Sequence, residues 1–129
     1  MIRPNLRMDA EANTCLRFGV LLLASGASGY RVIRAVKRCA RSLGFDNADV
    51  IVGFNTISCT FHRGEQFRTA VADVPLPGVN ASRIEALETA AHSLLQSYRT
   101  PEVISTALDE IERIPAHQPV RPPGARDPA

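Results

Sequence analysis

The stretch that decides the fold lies at residues 21–45 and has the sequence LLLASGASGYRVIRAVKRCARSLGF. An apolar run enters a group of small residues, SGASG, and an amphipathic segment follows that ends at Gly44. Ser28 can cap a helix that begins at Gly29, because a serine side chain accepts a hydrogen bond from a free N–H in the first turn. Gly26 suits the end of a preceding helix, since glycine adopts left-handed backbone angles at little cost. The stretch therefore predicts two helices joined at a tight corner.

The second of these helices, predicted over residues 29–43, has apolar and basic side chains on opposite sides. Placing one residue every ~100° around the axis groups its apolar side chains: Val32, Val36, Cys39 and Leu43, with Ile33 and Ala40 beside them. The opposite side carries five cations, Arg31, Arg34, Lys37, Arg38 and Arg41. This basic side fits an ordinary solvated surface or one that attracts anionic lipid headgroups. Nucleic-acid binding is not favoured, because no aromatic residues alternate with the cations.

After Gly44 the hydrophobic period changes to two, which predicts strands. The alternating apolar side chains are Val50, Val52 and Phe54, followed by Ile57, Cys59 and Phe61. The segment HRGE is a glycine-containing hairpin connection, and QFRTAV follows it as a further strand. We predict a three-stranded antiparallel meander over residues 48–73, covered on one face.

Helices are predicted on both sides of this meander. The first is expected to run from Asp9 to about Ser25. Two more should follow the strands, the third capped by Asn80 or Ser82 and the fourth by Thr100. The order of two helices, three strands and two helices is that of an α+β domain arranged as a two-layer sandwich.

One domain is expected over residues 9–114. Residues 1–8 are predicted to form a flexible arm. Residues 115–129 are rich in proline and nearly free of apolar side chains, which predicts a disordered tail.

Composition limits the classes of function. The chain of 129 residues has a net charge of only +2, so an electrostatic function must come from a local surface. Cys15, Cys39 and Cys59 form no CxxC pair, which favours free thiols in a reducing compartment. The histidines have no metal-ligand spacing, and we expect neither metal nor cofactor. The longest apolar stretch is far shorter than the roughly 20 residues that cross a bilayer, so the chain alone is expected to be soluble.

Several polar residues are candidates for binding a small ligand. SGASG matches neither of the common nucleotide-binding loops, but Ser28 heads a helix whose free N–H groups can hold an anion. Arg68, with Thr69 beside it in the third strand, requires a carboxylate, a ligand or water at its guanidinium. We expect Arg68 to pair with an acidic residue or to line a pocket with Arg31 or Asn80. The acidic candidates are Asp49, Asp109 and Glu110.

Six short motifs occur in order between about residues 12 and 114. They are Ser25-Gly26-Ala27, Tyr30-Arg31-Val32, Leu43-Gly44, Arg68-Thr69, Val79-Asn80 and Leu108-Asp109-Glu110-Ile111-Glu112. Together they resemble the soluble N-terminal domain of the threonine/serine exporter family. In that family transmembrane helices follow this domain and form the transport path, whereas this chain has its proline-rich segment there.

The resemblance implies a cytoplasmic accessory or regulatory domain at the inner face of the plasma membrane, free-standing or truncated and unable to transport alone. Its basic helix would lie near anionic lipid. The implied partners are a transmembrane transporter subunit or a second copy of the chain, an anionic lipid surface, and a small polar ligand such as threonine or serine. Nucleic acid is not among them.

The alternative function is that of a small hydrolase-like enzyme, a character that the resemblance also allows. Its chemistry would have to come from Ser25, Ser28, His62 and Asp73, whose spacing supports no catalytic triad. A serine or cysteine within hydrogen-bond reach of a histidine would favour it. A third interpretation, a degraded gene product without function, stays open.

Overall fold

The computed structural model describes residues 6–74, 78–94 and 99–115, which form four helices and one three-stranded sheet. The order of the elements confirms the predicted α+β class. The helices are α1 (Leu6–Ala24), α2 (Gly29–Ser42), α3 (Ala81–Leu94) and α4 (Pro101–Glu112), and the strands are β1 (Asn47–Val52), β2 (Thr56–Arg63) and β3 (Gln66–Asp73).

The corner between α1 and α2 is as tight as the sequence predicts. Gly26 has a φ of 94°, which is the left-handed conformation that ends α1. Ser28 Oγ then accepts a hydrogen bond from the backbone N–H of Arg31 at 3.4 Å and caps α2. The two helices pack closely, because a Cβ added to Gly19 would lie only 2.7 Å from Val36 Cγ2.

The first helix begins earlier than expected. It starts at Leu6 rather than near Asp9, and Met8 is fully buried in the core, so residues 6–8 belong to the domain and not to a flexible arm. Asp9 does not act as the cap, because it lies within the first turn of the helix, where its carboxylate pairs with Arg68 on β3. The rest of the predicted arm, residues 1–5, and residues 116–129 of the predicted tail lie outside the described residues.

The three strands form an antiparallel meander in the order β1-β2-β3, as predicted. Ile57, Cys59 and Phe61 of β2 all face the core, which confirms the period of two. Phe54 does not continue the inward face of β1, because the strand ends at Val52 and Phe54 is exposed in the turn that follows.

The two faces of β3 differ in an unexpected way. The covered face carries Arg68 and the small residues Ala70 and Ala72, while Phe67 and Val71 are each 60% exposed on the open face. The small residues make room for α1, which packs directly against β3.

All four helices lie on the covered side of the sheet. Helices α1 and α2 contact the strands, α3 packs against both of these helices, and α4 packs against α1 and α3. The helical layer of the sandwich is therefore two helices deep. Thr100 caps α4 and Pro101 stands at its start, as predicted. In the described part of the chain, no helix has both the length and the apolar character that crossing a membrane requires.

Candidate functional site: a basic groove beside α2

Helix α2 concentrates positive charge on one side of the domain. Its sequence contains five cations and no acidic residue. Val32, Val36 and Cys39 on its other side are fully buried, so the basic side faces outward as predicted. Arg31, Lys37 and Arg41 are exposed, and Arg34 and Arg38 are half-buried.

Arg34 differs from the other four cations because it has a partner. Its Nη2 donates to Glu88 Oε2 of α3 at 2.8 Å, and its guanidinium lies 5.3 Å from the centroid of the Tyr30 ring. This contact ties α2 to α3. The remaining cations, Arg31, Lys37, Arg38 and Arg41, form no ion pair with residues 6–74, 78–94 or 99–115.

A groove with a volume of about 540 Å³ runs between α2 and the beginning of β1. Lys37, Arg38 and Arg41 line it, whereas Arg31 lies outside it. The buried Ala40 and Ala48 also line the groove. Both alanines have short side chains, whereas the cationic side chains of the lining are long and can reach over the concave surface.

Few groups in the groove offset this charge. Asp46 lines it, and its carboxylate, whose Oδ2 accepts a hydrogen bond from the backbone N–H of Gly64 at 2.7 Å, offsets one positive charge. Arg34 at one end is neutralised by Glu88. Lys37, Arg38 and Arg41, which form no ion pair within the described residues, still outnumber the Asp46 carboxylate, so the groove can attract an anion.

The family of the chain follows from a match that covers this whole architecture. Residues 13–121 match the family model described as "Putative threonine/serine exporter". The chain belongs to this family. The match runs from within α1 through the groove to beyond the end of α4. The chain matches no curated protein and no solved structure.

Two of the predicted ligand residues of this exporter-family domain take part in helix capping. Ser28 caps α2, and Asn80 rather than Ser82 is seen to cap α3, since Asn80 Oδ1 accepts from the backbone N–H of Arg83 at 3.0 Å. Asn80 Nδ2 also donates to the carbonyl of Ile114 at 3.2 Å. These bonds occupy polar atoms that a ligand would otherwise contact.

Arg68 pairs with an acidic residue, but not with one of those expected. Its Nε donates to Asp9 Oδ1 at 2.7 Å, because the first turn of α1 passes over β3. The candidates Asp49 and Asp109 contact His62 and Arg17 instead. Thr69 lies on the opposite face of β3, where its hydroxyl bonds with that of Thr60.

The structure thus does not bring these candidates together at one place. Ser28 and Asn80 cap different helices, and Arg68 and Thr69 lie on opposite faces of one strand. Arg31 lines a separate open depression between α2 and α3 with Glu85 and Glu88. Ligand binding by these five residues stays a prediction.

The geometry of this exporter-family domain gives no support to the hydrolase alternative. His62 Nε2 lies 3.1 Å from Asp49 Oδ2 on the open face of the sheet, so in the described part of the chain its side-chain partner is a carboxylate and not a serine or a cysteine. Burial raises the pKa of the Cys59 thiol to about 11. Burial, together with a hydrogen bond to Cys39, also raises the pKa of Cys15. These thiols are protonated at neutral pH and are poor nucleophiles.

Helical periodicity in the sequence predicted the basic side of α2 but not the groove beside it. The groove exists because β1 lies beside α2, and that neighbourhood is a tertiary contact. The available signal was a pair of alanines, Ala40 and Ala48, at positions that a core would usually fill with larger side chains.

Proposed function

We propose that this domain serves a threonine/serine exporter-related protein as an accessory or regulatory domain on the cytoplasmic side. In this proposal the basic side of α2 rests on the anionic inner face of the plasma membrane. Membership of the exporter family supports the transport context. The observation that carries the proposal is a set of four cations on one side of α2 that form no ion pair with any described residue, namely Arg31, Lys37, Arg38 and Arg41.

The strength of this attraction follows from the number of cations. Each Lys or Arg near an anionic membrane surface contributes ~1 kcal/mol, so four unpaired cations supply at most ~4 kcal/mol. An attraction of this size holds a domain weakly. It becomes effective when a membrane-spanning partner or a second copy adds another attachment, because linked contacts raise the effective concentration.

The contact would be peripheral. The apolar side chains of α2 lie in the core of the domain, so this helix has no hydrophobic face to insert between lipids. Binding through charge alone should weaken as salt screens the surface. A cytoplasmic position also fits the three buried free cysteines and the excess of cations expected on that side of a membrane protein.

Vesicle co-sedimentation tests the proposal. The chain should sediment with vesicles of phosphatidylglycerol and phosphatidylcholine at low salt, less at high salt, and not with phosphatidylcholine alone. The variant Lys37→Gln/Arg38→Gln/Arg41→Gln should lose this binding. Arg34 is left unchanged, because its ion pair with Glu88 joins two helices.

A matched control removes the same charge elsewhere. Arg7, Arg99 and Arg113 are exposed and form no ion pair in the described part of the chain. Changing all three to Gln alters the net charge as much as the α2 variant does and should leave binding intact. Equal loss in the two triple variants, or equal sedimentation with neutral vesicles, would contradict the proposal.

A further inference from the structure

We propose that the groove between α2 and β1 is a binding site for one phosphate monoester. This inference rests on the proposed function in that it names the chemistry that the basic side of the domain recognises. The ligand is either the headgroup of an anionic lipid or a free phosphate-bearing molecule, since both present the same group.

The arrangement of the cations is the first argument. Lys37 and Arg41 are four residues apart on α2 and so lie one above the other, with Arg38 beside them. Like charges at this spacing destabilise a helix. Three such cations line one concavity with a single carboxylate, that of Asp46, so an excess of positive charge is left that a bound anion would stabilise.

The shape of the site is the second argument. An ordinary solvated helix side is convex, and its cations point apart into water. Here the cations line a groove of about 540 Å³ together with the small residues Ala40 and Ala48, so their side chains can converge on one group. Tyr30 and Asn47 add a hydroxyl and an amide to its lining.

The charge of the site favours a monoester over a diester. A phosphate monoester carries about −1.5 to −2 at neutral pH and has three oxygens that accept strong hydrogen bonds. A diester carries a single charge. Lys37, Arg38 and Arg41 less the Asp46 carboxylate leave an excess of about two positive charges, which matches the higher charge, and Arg guanidinium groups suit bidentate contact with phosphate oxygens.

Arg31 supplies an internal control. It lies on α2 and is exposed like Arg41, but it is outside the groove. A flat, non-specific basic surface would use Arg31 and Arg41 alike. A groove that holds one phosphate group would depend on Arg41 and be indifferent to Arg31.

The test uses the whole chain with two soluble probes, inorganic phosphate and glycerol 3-phosphate, at an ionic strength held constant with sodium chloride. Nuclear magnetic resonance titration should show saturable shifts for amides of α2 and residues 46–48. Arg41→Gln should weaken affinity about tenfold, and Arg31→Gln less than twofold. Absence of saturable shifts, or equal losses in both variants, would overturn the site.

Vesicles distinguish the two sources of the phosphate. If the ligand is a lipid headgroup, phosphatidate should bind the chain more tightly than phosphatidylglycerol at matched surface charge, and glycerol 3-phosphate should displace it. Saturable binding of soluble phosphate without any vesicle binding would support the site with a free ligand and overturn the proposed membrane function. Vesicle binding that ignores headgroup type and is weakened equally by both variants would overturn the site and leave the proposed function standing.

Discussion

At the scale of single residues, Arg63 connects parts of the domain that lie far apart in the sequence. It donates to both carboxylate oxygens of Glu11, at 2.9 and 3.0 Å, and to the carbonyl of Leu43 at 2.8 Å. Its guanidinium also lies 4.3 Å from the centroid of the Phe45 ring. One side chain thus joins the β2–β3 hairpin to α1 and to the end of α2.

Two ion pairs that join the sheet to α1, Arg63 with Glu11 and Arg68 with Asp9, should differ in their contribution to stability. Glu11 is only 4% exposed, whereas the Asp9 side chain that pairs with Arg68 is 43% exposed. Arg63→Met strands a buried carboxylate and should lower the free energy of unfolding by about 3 kcal/mol. Arg68→Met should lower it by under ~1 kcal/mol, because solvent screens that pair. Urea unfolding of both variants measures the difference, and equal losses would refute this assignment.

The buried thiols should be unreactive in the folded chain. A disulfide reagent at pH 8 should label Cys15, Cys39 and Cys59 only after urea is added, because all three are fully buried. Rapid labelling of the native chain would show that this region of the core opens readily.

The raised pKa of Cys59 also predicts a pH dependence. The pKa of about 11 in the folded chain lies above the ordinary value of 9.0, so the folded state keeps the thiol proton to a higher pH than the unfolded state does. The contribution of this proton to the free energy of unfolding is complete below pH 9 and is lost as the pH rises towards 11. The free energy of unfolding should therefore fall over this range, and less steeply in Cys59→Ala. An identical slope in the two proteins would contradict the assignment.

At the scale of elements, the sequence predicted those helix starts that depend on capping residues next to them in the chain. Helix α2 begins where Ser28 can cap it and has the expected buried side, and α4 begins at Thr100-Pro101. The start of α1 was missed because Asp9 resembles a cap, while its carboxylate is in fact held by Arg68, 59 residues along the chain. The alternation of residues in QFRTAV predicted that β3 is a strand, but it did not predict which face of the strand α1 would cover.

The close contact of α1 with α2 makes Gly19 a sensitive position. In Gly19→Ala the new Cβ would lie 2.7 Å from Val36 Cγ2, and the branched valine has little freedom to turn away. Overpacking of this kind costs ~1–3 kcal/mol, which exceeds the ~1 kcal/mol gained in helix propensity. We expect a net loss of about 1 kcal/mol, measured by thermal or urea unfolding.

Two further variants control this comparison. Gly29→Ala places its Cβ at an ordinary 3.8 Å from Val52 Cγ1 and should not destabilise the domain. In Gly19→Ala/Val36→Ala the clash is gone, so the double variant should lose less than the sum of the two single changes. Strict additivity would mean that the two positions do not touch.

At the scale of the whole molecule, charge is distributed unevenly around a nearly neutral chain. The net charge is +2, while α2 alone carries five cations. Between α1 and α4, Arg17 contacts both Asp109 and Glu112, so its charge is matched within the domain. The sequence predicted the basic side through helical periodicity. It did not predict the groove, whose walls come from α2 and from β1 and meet only in the folded chain.

Our central proposal is that the α2 side of this exporter-family domain faces an anionic membrane. The most direct measurement is paramagnetic broadening of backbone amide signals, recorded with the chain bound to anionic nanodiscs that contain a spin-labelled lipid. We expect the strongest broadening at residues 31–41 and 46–48, and little at β3 or α4. Strongest broadening at the open sheet face, around Phe67 and Val71, or along α4 would contradict it.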